Sequence, residues 1–271
     1  MTSHARFLTI FLFSGAVCLS SSNAATLVFS EDFNQATPPA GLTTGNTGFD
    51  GVVPSTGSIN SMVSTIGTGN SARFSGATST TDSGAYIVEG GLTSMTVMSF
   101  GFSLRMEKSD SGALGIYAGN GNTVGGNPGN SGRNSSHILW DLRITAAGEF
   151  QYQPIGSNTW STLSGFTVAD GTSYEFLIQV NNSASAVDGV AANTMSIYAN
   201  GGLIGSGLSM RSGVQTVTGF RMGARGTSSA GDIIAEIDDL RVWNGIQPIP
   251  EPTTAALLLG AAGFLLRQRR G

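Results

Sequence analysis

The side chains able to do chemistry in this 271-residue chain are few, and they gather in three places. Glu31 and Asp32 end a short β-rich run near the beginning, and Asp238 and Asp239 lie within another near the end. Calcium takes six to eight oxygen ligands, which strand-end carboxylates and backbone carbonyls can supply. If the first and last strands are neighbours, these four carboxylates form a candidate structural calcium site; otherwise they are solvated edge groups that cap turns. A second group is aromatic. Phe150 and Tyr152 share one face of a β-like run, Gln151 and Gln153 share the other, and Trp160 follows across Gly156-Ser157-Asn158. Sugar binding requires an exposed aromatic platform beside amide or carboxylate groups, which makes Tyr152 and Trp160 the candidate carbohydrate-binding residues. The bland alternative is that both rings fill a core. The third group, Glu236 and Asp238, alternates on one strand face, where two carboxylates could flank a glycosidic bond.

Other chemistries are poorly served. One cysteine, Cys18, excludes an intramolecular disulfide and a Cys-rich zinc site. Two histidines, His4 and His137, leave little for histidine-built metal or nucleophile machinery. Gly67-Thr68-Gly69-Asn70-Ser71-Ala72 has the letters of a dinucleotide fingerprint. That fingerprint needs a following helix to hold the pyrophosphate, and the Ser- and Thr-rich continuation predicts a Gly-rich hairpin instead. The formal charge of −4 and pI of about 5.1 argue against a nucleic-acid partner.

The elements that would position these residues are short. Leu27–Ser30, Met62–Ile66, Ala85–Glu89, Met95–Arg105, Ile138–Thr145, Glu149–Gln153, Tyr174–Val180, Thr194–Ala199, Val214–Met222 and Ile233–Trp243 read as strands. Gly, Asn, Ser and Asp separate them, and no helical periodicity intervenes. Asn200-Gly201 predicts a tight hairpin, and Asp170-Gly171 reads in the same way. Residues 119–136 form a Gly- and Asn-rich loop. The pattern predicts an all-β, two-sheet antiparallel β-sandwich over residues 26–247. Within the last strand, Ile233, Ala235 and Ile237 fall on odd positions, whereas Leu240 and Val242 fall on even ones. A β-bulge at Asp238-Asp239 would return both sets to the core.

The two ends carry addresses. Arg6 precedes a 13-residue apolar run, Phe7–Leu19, and Ser22-Asn23-Ala24 offers small residues for cleavage. Residues 1–25 therefore read as a secretory signal peptide, to be removed by signal peptidase together with Cys18. At the other end, Pro250-Glu251-Pro252 precedes fourteen uncharged residues, Thr253–Leu266, and then Arg267, Arg269 and Arg270. Fourteen helical residues cover about 21 Å, short of a hydrocarbon core of roughly 30 Å. Snorkelling arginines and local thinning offset part of the difference. The arginines favour the cytoplasmic side, leaving the body outside.

Together these three features, over residues 248–271, resemble the PEP-CTERM sorting signal of Gram-negative, polysaccharide-producing bacteria. The resemblance implies that Pro250, Glu251 and Pro252 are read by a membrane-embedded exosortase. Arg267, Arg269 and Arg270 would hold the precursor, with a transmembrane helix before them. The tail would then be removed and the body delivered to the cell envelope or extracellular matrix; the alternative is a tail that stays as an anchor.

The body has a resemblance of its own. Ile237-Asp-Asp-Leu-Arg-Val-Trp243, Tyr174-Glu-Phe-Leu-Ile-Gln-Val180 and the stretch Met195–Gly207 resemble the closing strands of laminin-G-like, concanavalin A-like jelly rolls. Leu27-Val-Phe-Ser-Glu-Asp-Phe33 fits their opening edge. This implies two stacked antiparallel sheets and a frequent role in carbohydrate binding or adhesion, which fold alone does not establish. Some of these folds are glycosidases with a Glu-x-Asp-x-x-Glu strand motif. Glu236 and Asp238 match its first two positions, but Arg241 replaces the last carboxylate and the match crosses the expected bulge. The expectation is a non-catalytic, exported surface or matrix protein that binds or organises polysaccharide. A purely adhesive spacer and a glycoside hydrolase are the alternatives.

Overall fold

The computed structural model describes residues 24–54, 58–75, 85–107, 112–120, 137–157, 159–211, 216–225 and 233–249. Most of the signal segment, residues 121–136 of the expected loop, and the tail from Pro250 lie outside them, including Glu251, Pro252, Arg267, Arg269 and Arg270. Among the described residues no helix is long and apolar enough to cross a membrane.

The described residues form an all-β sandwich of two antiparallel sheets, as the strand pattern predicts. The nine-stranded sheet is built around β7 (Val97–Glu107) and β16 (Ile234–Asn244). On the β7 side follow β12 (Ser173–Asn181), β13 (Thr194–Ala199) and β14 (Gly202–Ser209). On the far side of β16, its first half pairs with β5 (Asn70–Ser75) and its second half with β1 (Thr26–Glu31). Beyond β5 lie β4 (Ser58–Val63) and β2 (Ala40–Gly41). The seven-stranded sheet runs β11 (Ser161–Thr167), β10 (Glu149–Tyr152), β9 (Ile138–Thr145), β8 (Ala113–Gly119), β15 (Gly219–Arg225), β6 (Ala85–Glu89) and β3 (Gly51–Pro54).

Alternation along the strands fills the space between the sheets. Met98, Phe100, Phe102, Leu104 and Met106 of β7 point inward beside Phe176, Ile178 and Val180 of β12. Opposite them stand Trp140, Leu142 and Ile144 of β9 and Phe220 of β15. Phe100 meets Phe220 and Trp140 edge-on at 5.0 and 5.7 Å between ring centres, and Phe102 stacks on Phe176 at 5.4 Å. Such aromatic pairs add about 0.5–1.5 kcal/mol each beyond area burial.

Three local expectations meet different outcomes. The bulge lies where the sequence places it: the β16–β7 register shifts between Asp238 and Arg241, and Asp239 has φ of 51°. Ala235, Ile237, Leu240 and Val242 are thereby all fully buried. Asn200-Gly201 likewise closes the β13–β14 hairpin, with both residues at positive φ. Asp170-Gly171 makes no hairpin. It joins β11 in one sheet to β12 in the other, because β12 takes its pairing partners from β7 and β13.

Candidate functional site

The carboxylates at the two ends of the domain do converge. β1 pairs with β16, placing Glu31 opposite Leu240, and Glu31, Asp32 and Asp239 line one shallow recess. Each of the four carboxylates accepts at least one hydrogen bond from a protein donor. Glu31 accepts the backbone N–H groups of Phe33 at 2.7 Å and Gly48 at 2.5 Å. Asp32 accepts from the Asn34 N–H, and Asp239 pairs with the Arg241 guanidinium at 2.7 Å. Asp238 accepts from the Ser64 hydroxyl at 2.9 Å and the Asp239 N–H at 2.8 Å. Among the described residues no three carboxylate, histidine or cysteine groups form a set that could hold a metal ion. Glu31, Asp32, Asp238 and Asp239 thus act in this structure as turn and bulge caps.

Burial governs the ionisation of this cluster. Asp238 is 2% exposed, and desolvation pushes its pKa up to about 6 despite the two hydrogen bonds; the nearby Asp239 and Asp32 carboxylates add to the rise. Glu236, equally buried, accepts from the Thr65 N–H at 2.6 Å, the Thr65 hydroxyl and the Ser71 hydroxyl at 2.8 Å. It fastens the turn between β4 and β5 onto the sheet. That turn holds Gly67–Ala72 in the hairpin geometry expected in place of a nucleotide loop.

The structure separates the two expected platform residues. Tyr152 pairs with Leu142, the inward-facing position of β9, and packs against the core. Trp160 lies on the outside of the same sheet, with the Arg143 guanidinium 4.2 Å from its ring centre. The two rings therefore lie on opposite faces of one sheet and cannot share a ligand. Gln151 and Gln153, on the outer parity, are buried; Gln151 links Arg143, Glu149 and Thr162. Further along this outer face Arg221 sits 3.4 Å from the ring centre of Tyr86 and 5.7 Å from that of Tyr117. The Arg211–Asp141 ion pair, at 2.6 Å, is buried there as well.

An open aromatic groove lies instead on the outer face of the nine-stranded sheet. It encloses about 350 Å³. Gly101, Leu177 and Tyr198 form its floor, on the adjacent strands β7, β12 and β13. The Trp243 ring leans over Gly101, where a Cβ would lie 3.0 Å from the indole, so a side chain here would push the ring outward. One wall carries Glu175, Asn200, Asp239 and Arg241, all hydrogen-bonding side chains. The other is the segment Gly245–Ile249, which crosses the sheet after β16. Ser99 holds it by donating to the Gly245 carbonyl at 3.0 Å and accepting from the Gln247 N–H at 2.7 Å. The Gln179 side-chain amide donates to the Gln247 carbonyl at 2.8 Å.

Flat apolar rings beside amide and carboxylate groups match the two faces of a pyranose, one of C–H groups and one edged by hydroxyls. The sequence carries a signal for half of this site. Once Leu240 and Val242 face inward, Arg241 and Trp243 must face outward. Which strands bring Tyr198, Leu177 and Glu175 beside them is a matter of sheet order.

No protein-family model matches the chain, and no characterised protein matches its sequence. Solved structures share the fold. The alginate lyase Aly36B superposes with a TM-score of 0.51 at 13% identity, over 82% of this chain and 97% of that one. Cellulose induced protein, Cip1, gives 0.52 at 15% identity, over 81% and 99%. A sialidase gives 0.53 at 13% identity over 81% of this chain, which spans only 18% of the sialidase's length. At these identities the likeness is one of fold.

Proposed function

We propose that this chain is an exported protein of the bacterial envelope or extracellular matrix that binds polysaccharide, without catalysing its cleavage, through the Trp243–Tyr198 groove. The observation that carries the reading is the groove itself: two aromatic rings and a leucine on an outer sheet face, walled by Glu175, Asn200 and Arg241. A sandwich can keep such rings inside; here they line an opening to solvent. Export and exosortase sorting rest on the terminal segments, with Pro250-Glu251-Pro252 as the recognition triplet. A non-catalytic role is supported by the occupation of Glu236 by Thr65 and Ser71, and of Asp239 by Arg241.

The test is retention of the purified chain on polysaccharide from the producing bacterium's own matrix. Trp243→Ala and Tyr198→Ala should each weaken binding about tenfold, roughly 1.4 kcal/mol, with folding checked by thermal unfolding. Absent binding, or binding indifferent to both changes, overturns the reading and leaves an adhesive spacer.

A further inference from the structure

The backbone pairing around the groove gives its direction. Leu27 pairs with Trp243. In the adjoining row Gly101 pairs with Arg241 and Leu177, Leu177 with Tyr198, and Tyr198 with Leu203. Directly opposed residues share a face, so an apolar band crosses the sheet at right angles to its strands, from β1 to β14. Its ends stay open: Leu27 is 50% and Leu203 56% exposed. Strands lie about 4.8 Å apart, so six of them span about 24 Å. That is room for several sugar rings in line, whereas the groove alone suits one or two.

Charge limits what can lie there. The lining carries the carboxylates of Glu175 and Asp239 and one guanidinium, Arg241, already paired with Asp239 at 2.7 Å. Between residues 26 and 247 the chain has nine basic and sixteen acidic residues, a formal charge of −7. A uronate polymer would bring its carboxylates against Glu175 with no uncommitted cation among the lining residues. Uncharged hydroxyls can instead donate to Glu175 and exchange hydrogen bonds with Asn200 and Ser103.

Building on the polysaccharide-binding reading, we infer that the ligand is an uncharged polysaccharide in extended form, lying across the strands from Leu27 to Leu203. The groove engages the interior of the chain, and the exposed leucines extend the contact on either side.

Calorimetry on the full chain in detergent tests this with neutral hexaoses of the β-glucan, mannan and xylan type, their disaccharides, and hexamers of alginate and polygalacturonate. At least one neutral hexaose should bind ten times or more tighter than its disaccharide and than either uronate. The double variant Leu27→Ser/Leu203→Ser, at exposed positions that spare the core, should remove the advantage of length while leaving the disaccharide unchanged. Glu175→Lys should improve uronate binding about tenfold. Uronate binding equal to or tighter than neutral binding, yet lost in Trp243→Ala, overturns this inference and keeps the sugar-binding reading. So does a length dependence that survives the leucine changes. No binding of any saccharide overturns both. Adhesion to phosphatidylcholine–phosphatidylglycerol vesicles that the leucine changes abolish would assign the band to a membrane surface and overturn it too.

Discussion

Asp238 sits in the outer parity of β16, beneath the turn that Ser64 begins, and burial lifts its pKa from 3.8 to about 6. The folded state therefore holds this proton more tightly than the unfolded chain does. Below about pH 4 both states are protonated and nothing changes with pH. Between about 4 and 6 stability falls as pH rises, by up to about 3 kcal/mol in total. Above 6 both states are ionised and the loss is complete. Asp238→Asn has no such proton. The stability of the native chain relative to this variant should therefore decline across pH 4–6 in urea titrations, and a flat difference would reject the assignment. Trp243 illustrates a second residue-scale fact. Its outward direction follows from local alternation, but its place in a groove depends on Gly101, 142 positions earlier, having no side chain.

At the scale of elements, the bulge in β16 keeps two halves of one strand in a common core. Deleting Asp239 would turn either Ala235 and Ile237 or Leu240 and Val242 outward, and the chain should lose cooperative thermal unfolding. Substituting the same residue separates geometry from chemistry. Asp239→Gly suits φ of 51° and gives up only a half-exposed ion pair, so stability should stay within about 1 kcal/mol. Asp239→Val puts a β-branched side chain in the left-handed region and should cost about 1–2 kcal/mol. Equal Tm values for all three variants would mean that the bulge is not needed. β7 and β16 are legible because apolar residues alternate with small or polar ones, as Met98, Phe100, Phe102, Leu104 and Met106 do along β7. β8 is not, since every residue from Ala113 to Gly119 is buried and the period-2 signal disappears. β5 and β3 are short and polar or Pro-ended, and they gain their strand character from their neighbours β16 and β6.

For the whole molecule, the crossing segment Gly245–Ile249 joins the groove to the terminal tail, so the body and its proposed address are covalently adjacent. Under the proposed function, replacing Pro250, Glu251 and Pro252 with alanine leaves an unprocessed, membrane-retained precursor on immunoblots of fractionated cells. Processing and release at the native rate would overturn the sorting reading. The sequence by itself determined the sandwich class, the bulge and the excess of acid over base. These follow from local alternation, turn chemistry and composition, which need no knowledge of distant partners. Only the tertiary structure decided that Tyr152 points inward while Trp160 points out, that β1 and β16 pair and their carboxylates accept from nearby N–H and O–H donors, and that Trp243 meets Tyr198 across Gly101. Each of those depends on which strands become neighbours, and sheet order is set by burial summed over the whole chain rather than by any one segment.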